Sequence, residues 1–430
     1  MTDEKKRFTL GLELDAYKYD ARHCVSCHQC RWIDYNYVPG LDFSWKCPAW
    51  QYKQFDAYGA EGKSRIVYDL LTGRLDWSDP GLRDIVYECT LCGGCDMGCK
   101  RNLDFERQMM LESLRARMVE KGFGPLPEHV EITDSIENSR NYYGKEQAQR
   151  LDWVTKDIKV ARKADILYFV GCRAAFVDTQ IATATARILN AAKADFMVMK
   201  DEPCCGHFIF TTGQVEKAKR MAEENLKLIR ETGAKTVLFS CADGYKTVKV
   251  DYPKLLGFST SDLGFEVVHI VELVDKWVKD GTLKLKNKVD MRVTYHDPCS
   301  LGRLSEPWIH WEGTRVEWGL LEPTRVFRRG INGIYEPPRN ILKAIPGIEL
   351  VEMFRHHENA WCCGSDAGVK EAYPEFALWA AGERLREAAS IGAEALVTCC
   401  PQCRTNFRDA ARDGMKVYDI TELLAQAIGR

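Results

Sequence analysis

GAKTVLFSCADG at residues 233–244 and GAEALVTCCPQC at 392–403 are two versions of one pattern. In each, a short apolar and β-branched run leads directly into cysteine. Such an uninterrupted run reads as a strand covered on both faces, the kind found in parallel sheets. The match extends outward. Upstream, ADILYFVGC (164–172) pairs with MRVTYHDPC (291–299), and EPCCG (202–206) pairs with AWCCG (360–364). Downstream, FEVVHIVELV (265–274) pairs with MKVYDITELL (415–424). Amphipathic stretches of helical length, Gln214–Thr232 and Glu375–Ser390, separate the cysteine pair from the next strand in each copy. Strands alternating with helices predict an α/β fold with a mostly parallel sheet, built twice. The cysteines then fall beyond strand C-termini or in loops, where such sheets place ligands.

The two copies are offset by 127 to 159 residues, so the second carries an insertion. It lies between Cys299 and Cys362, where 62 residues stand against 31 between Cys172 and Cys204. The insertion holds Trp308, Trp311, Trp318, Arg315, Arg325, Arg328 and Arg329, residue types common at interfaces, so either a docking surface or ordinary cover of the domain is expected there.

Eighteen cysteines in 430 residues is the abnormal feature of the composition. The first residues, MTDEKKRFTL, are charged and lack an apolar signal core, and no stretch of about 18 apolar residues offers a membrane span. A cytoplasmic chain is expected, and dense cysteine there points to metal binding or redox chemistry rather than disulfides. Sixty basic residues against 62 acidic ones leave a net charge of −2, which gives no reason to expect nucleic acid as a partner. No glycine-rich GxGxxG turn follows a strand, so any flavin or nucleotide belongs to another chain.

The cysteines form four groups. The first two are Cys24, Cys27, Cys30 with Cys47, and Cys89, Cys92, Cys95 with Cys99. CxxCxxC followed by a distant fourth cysteine, twice, is the two-cluster ferredoxin arrangement, in which the fourth cysteine of each run ligates the other cluster. One cubane [4Fe–4S] cluster is therefore assigned to Cys24, Cys27, Cys30 and Cys99, and a second to Cys89, Cys92, Cys95 and Cys47. Two departures are the 16 residues between Cys30 and Cys47 and the lysine at Lys100, where proline is common. A pair of zinc sites is the competing reading, since CxxC also suits zinc, but zinc has no need of triplets with an exchanged fourth ligand. Between these groups and the duplication, Phe105 to Lys121 has helical periodicity. Gly122, Gly124, Pro125 and Pro127 then break it. The expected division is a ferredoxin-like domain over 1–124, a surface linker over 125–164, and α/β units over 165–288 and 289–430.

A strand-end cysteine, then CCG, a long helix and CPxC resembles the CCG domain of heterodisulfide reductases. With a ferredoxin-like unit in front, the protein is similar to their D subunit, in which the two parts share one polypeptide. The iron–sulfur subunits of glycolate oxidase and anaerobic glycerol-3-phosphate dehydrogenase share the layout, as does a subunit associated with class II benzoyl-coenzyme A reductase. The resemblance covers residues 20–100 and 165–425. It implies an N-terminal α-helical ferredoxin-like domain and two tandem CCG domains. It also implies one non-cubane [4Fe–4S] cluster on Cys299, Cys362, Cys363, Cys400 and Cys403, with Cys399 extra. The first copy matches at Cys172, Cys204, Cys205 and Cys241, but the fifth position is Gly244. Four thiolates there suit an ordinary cluster, a modified non-cubane cluster, zinc, or a vestigial site.

The function so implied is an iron–sulfur electron-transfer subunit of an anaerobic redox complex, passing electrons between a flavoprotein (HdrA-like) or other redox partner and the CCG-domain cluster. A catalytic heterodisulfide reductase with a disulfide substrate is the alternative, and a zinc scaffold is a third. Near the clusters in sequence stand His207, His296 with Asp297, and His356, His357 and Glu358. His207 and His296 are the candidates to protonate a leaving thiolate or to hydrogen-bond a cluster sulfur. Arg303 is a candidate to offset the charge of a thiolate-ligated cluster.

Overall fold

A computed structural model describes residues 7–33, 38, 40, 42–99, 105–411 and 414–429; Lys100 lies outside them. The duplication is visible as two four-stranded parallel sheets. In the first, the strands lie in the order Phe196–Met197, Ile166–Phe169, Thr236–Phe239, Glu266–His269. In the second, the order is Ile348–Leu350, Met291–Tyr295, Ala395–Thr398, Lys416–Asp419. The two orders are the same at equivalent positions. The outer strands Phe196–Met197 and Ile348–Leu350 are the pair that the sequence comparison did not find, because they are only two and three residues long.

The central strands are buried along their length, with Leu167, Val237, Val293 and Leu396 all at 0% exposure, as expected for strands with helices on both faces. The copies are fitted together by exchanged helix pairs. Thr179–Ala191 of the first copy packs on Ile420–Ile428 of the second, and Ile270–Lys279 of the first packs on Glu336–Ala344 of the second. The arrangement is a pseudo-twofold, and one continuous apolar core runs through both sheets. It brings the C-terminal strand ends of the two copies face to face.

The ferredoxin-like part is helical, with Ala60–Leu71, Pro80–Tyr87 and Arg107–Glu120 around the cysteine loops. Arg107–Glu120 is buried on nearly all sides, which its charged sequence does not announce. Its buried Glu112 is matched from elsewhere in the fold: Lys254 Nζ lies 2.7 Å from Glu112 Oε2, and Lys246 Nζ lies 3.6 Å from Glu112 Oε1. Residues 125–164, expected to be a surface linker, hold the helix Pro127–Ser139 and the buried side chains of His129, Asn141, Arg150 and Trp153.

The insertion clasps the N-terminal part. Glu312–Arg315 pairs antiparallel with Phe8–Thr9. Trp308 and Trp311 are buried, Arg325 is ion-paired with Glu106, and Arg315 with Asp20. These interface-type residues are therefore mostly spent within the chain, while Trp318 stays 91% exposed.

Candidate metal centres and the cavity between the two copies

In the loop that follows Pro80–Tyr87, Leu91 and Gly93 both have positive φ (49° and 70°), turning the chain so that neighbouring cysteines face one way. The short helix Gly94–Cys99 then carries Cys95 and Cys99. Gly98 is required on it: a Cβ there would collide with the carbonyl of Gln29, in the other cysteine loop. That close approach brings Cys99 to the first run, where Arg107 is electrostatically engaged with both Cys99 and Cys24. In the opposite sense, Cys47 shares one cavity with Cys89, Cys92 and Cys95. Burial pushes the Cys47 thiol up to about 12, so its ionisation needs the compensation a metal ligand receives. Cys47 is the N-cap of Pro48–Lys53 with proline at N1, a pre-organised helix start that points its dipole at the sulfur.

In the second copy all five CCG-pattern cysteines are buried. Their thiols form a connected series: Cys362 hydrogen-bonds with Cys299 and Cys363, and Cys403 with Cys363 and Cys400. Cys400 is again an N-cap followed by proline. Cys399 points away, its Sγ 2.9 Å from Tyr295 Oη. The glycine of the CCG triplet, Gly364, has φ +88°, and a Cβ on it would meet Ala380 Cβ at 2.6 Å.

This group touches the ferredoxin-like part directly. The Cys92 thiol lies well below its ordinary range, first through its hydrogen bond with Cys362 and then, against burial, through the charge of Arg303. Arg303 fills the junction, donating from Nε to the Cys92 carbonyl (2.6 Å) and from Nη1 to the carbonyls of Ala360 (2.6 Å) and Glu358 (3.0 Å).

His296 is grouped with Cys363 and Cys403. Burial, then the charge of Arg384, hold its pKa down to about 3, so the ring is neutral. Its Nδ1 accepts from Arg384 Nε at 3.2 Å, which leaves the hydrogen on Nε2. Asp297 is spent on a bidentate pair with Arg339, at 2.7 and 2.9 Å. His357 Nε2 bonds Glu336 Oε1 at 2.9 Å, and His356 bonds His357. Neither histidine is grouped with a cysteine among the described residues.

In the first copy Cys172 hydrogen-bonds with Cys204, and Cys204 with Cys205. These three and Cys241 line a single cavity at the seam between the copies, closed on the far side by Ser365 and Asp366 of the second copy. Cys241 also hydrogen-bonds with Cys400, so the two cysteine groups meet across the seam. His207 lies in the wall. Its Nε2 is 2.9 Å from Asp366 Oδ1, and its Nδ1 is 2.9 Å from Thr247 Oγ1. Burial works against a charge on His207, yet the Asp366 carboxylate, by charge and by hydrogen bond, lifts its pKa to about 9. Tyr142 and Tyr143, from the segment expected to be a linker, complete the wall.

Sequence reasoning missed Asp243, Asp366 and the two tyrosines. Asp243 stands within CADG, beside the missing cysteine. Asp366 and the tyrosines have no signal short of the fold. The soft thiolates gathered in these buried cavities fit iron–sulfur ligation.

Residues 20–103 match the 4Fe-4S dicluster domain family, and residues 166–247 and 324–408 match the cysteine-rich domain family. The D subunit of the dihydromethanophenazine:CoB–CoM heterodisulfide reductase of Methanosarcina acetivorans is 35% identical over 419 residues, 94% of this chain and 93% of that one. Its counterpart in Methanosarcina mazei is 34% identical over 419 residues, with the same coverage. The B subunit of the fumarate reductase (CoM/CoB) of Methanothermobacter marburgensis is 29% identical over 355 residues, 81% of this chain and 62% of that one.

Proposed function

The chain belongs to the heterodisulfide reductase D-subunit family of iron–sulfur proteins, and from that premise we propose that it is the electron-transfer subunit of an anaerobic cytoplasmic redox complex. In this reading residues 1–124 receive electrons from a partner chain, a flavoprotein of the HdrA-like kind. The units at 165–288 and 289–430 hold the destination. The observation that carries it is the contact between Cys92 and Cys362. A continuous file of thiols runs from the ferredoxin-like part into the second CCG domain and on, through Cys400 and Cys241, to the seam. Cys24, Cys27, Cys30 and Cys99 hold one cubane cluster, Cys47, Cys89, Cys92 and Cys95 another, and Cys299, Cys362, Cys363, Cys400 and Cys403 a non-cubane cluster. Cys172, Cys204, Cys205 and Cys241 hold a further one. Bound there, such clusters supply one-electron transfer at potentials set by charge, hydrogen bonds and burial.

The surrounding residues prepare that path. Arg303 places a buried positive charge between two thiolate groups, which favours the reduced state of both. His296, neutral and within 4.8 Å of the Cys363 and Cys403 sulfurs, is the group placed to hydrogen-bond a cluster sulfur there, which would also favour extra electron density. The apolar cores on either side exclude water from the file.

A second reading, disulfide reduction, is favoured by the cavity at the seam. Splitting RSSR′ into two thiols consumes two electrons and two protons. The electrons arrive singly along the file, His207 holds one of the protons at Nε2 beside the cavity, and the second comes from solvent. Purified without oxygen, the protein is expected to contain only iron and to be reduced through its cubane clusters first, followed by rapid-freeze EPR. A colourless protein rich in zinc would sink the electron-transfer reading. Absence of any disulfide-dependent oxidation of the reduced protein would sink the second reading alone.

A further inference from the structure

The first CCG domain lacks its fifth cysteine, and the space for one is taken. A Cβ on Gly244 would lie 3.1 Å from the ring of Phe239, and the position equivalent to Phe239 in the second copy is the small Thr398. The pair Phe239 and Gly244 is thus changed together relative to Thr398 and Cys403. One residue before Gly244, the carboxylate of Asp243 enters the same cavity as Cys172, Cys204, Cys205 and Cys241. Its Oδ2 lies 3.5 Å from Cys400 Sγ, and one donor atom each from Cys241, Asp243 and Cys400 all lie within 4.8 Å of one another.

We propose that the Asp243 carboxylate is the fifth ligand of the first-copy cluster, taking the place of the cysteine absent at Gly244. The inference rests on the reading that the four thiols there hold an iron–sulfur cluster. A carboxylate is a harder donor than a thiolate and a weaker partner for iron in a sulfur-rich site. An iron held by Asp243 would accordingly be the one most open to exchange, and Asp243 lines the cavity at the seam. The first copy is then specialised for ligand exchange, and the second, with five thiolates, for electron storage.

Iron, zinc and sulfide are counted per chain in anaerobically purified protein, with Mössbauer and EPR spectra, for the wild type, Asp243→Ala, Asp243→Asn and Asp243→Cys. The wild type is expected to hold about 16 irons, four per cluster. Asp243→Ala and Asp243→Asn are each expected to lose about one iron and gain a three-iron EPR signal, and Asp243→Cys to keep the full count with an altered Mössbauer subsite. Adding Phe239→Thr and Gly244→Cys to Asp243→Ala is expected to restore the count. A wild type with about 12 irons, with or without zinc, overturns the first-copy cluster and the proposal with it. About 16 irons with unchanged spectra in Asp243→Ala overturns the Asp243 ligand alone. If Ala and Asn variants lose the whole first-copy cluster, retention in Asp243→Cys supports the proposal and loss there as well overturns it.

Discussion

Arg303 shows how much one side chain carries at the junction of two cysteine groups. It is 5% exposed, its guanidinium is spent on three carbonyls, and the thiols of Cys92, Cys299 and Cys362 all hold it in the charged state. Replacing it by methionine removes a positive charge from between two negatively charged groups while keeping most of the volume. EPR-monitored redox titration is expected to show the Cys92-linked cluster and the second CCG cluster both shifting to lower potential, by tens of millivolts. Arg303→Lys keeps the charge but cannot serve all three carbonyls, and is expected to shift less. Unchanged potentials in Arg303→Met would mean that its role is only to pack the junction.

Elements set where the ligands stand. The CCG glycines turn the chain at positive φ in both copies, but their surroundings differ. A Cβ at Gly364 meets Ala380 Cβ at 2.6 Å and Ala377 O at 2.7 Å, whereas at Gly206 its nearest neighbour is the flexible Met221, at 3.4 Å. Gly364→Ala is expected to cost about 2–4 kcal/mol and Gly206→Ala about 1 kcal/mol, from backbone strain alone. Thermal unfolding of the anaerobic proteins would reveal the order, and equal costs would contradict it.

The helix Ile270–Lys279 begins at His269, whose Nδ1 accepts the Val271 N–H. Burial holds the pKa of His269 down to about 3. The unfolded chain takes up this proton near pH 6.5 and the folded chain does not, so His269 makes stability fall as pH drops from 6.5 toward 3. His269→Asn keeps a capping side chain without the titration. Between pH 6.5 and 5 the wild type is expected to lose about 2 kcal/mol more than the variant in denaturant unfolding. Parallel curves would rule out His269 as the source of acid sensitivity.

Across the molecule as a unit, Arg115 joins the three parts. Fully buried on Arg107–Glu120, it donates to the carbonyls of Tyr87 (2.9 Å) and Cys89 (2.6 Å) in the ferredoxin-like part. It also reaches Thr211 (2.8 Å) in the first CCG domain and Ala367 (2.7 Å) in the second. Arg115→Met leaves those carbonyls without a donor, at a cost of about 3–5 kcal/mol. Because the lost bonds span domains, protease cleavage between the ferredoxin-like and CCG parts is expected to quicken before global unfolding. Cleavage at the wild-type rate would show that the seams hold without it.

The cysteine groups, the ferredoxin spacing and the duplication were legible from the order of residues alone. Ligand spacing is local, and strand-to-cysteine runs such as TVLFSC and ALVTCC are contiguous in the chain. The short outer strands were not legible, because two or three residues carry no period. Nor was the burial of Arg107–Glu120, whose Glu112 is matched by Lys254 and whose Arg115 reaches Thr211 and Ala367, partners that only the fold brings near. Folding was needed to bring Cys92 to Cys362 and Cys241 to Cys400, and to gather Tyr142, His207, Asp243 and Asp366 around one cavity. Those neighbours are made by the pseudo-twofold packing of the two copies. Packing joins surfaces whose complementarity is a property of folded shape, which no spacing along the chain records.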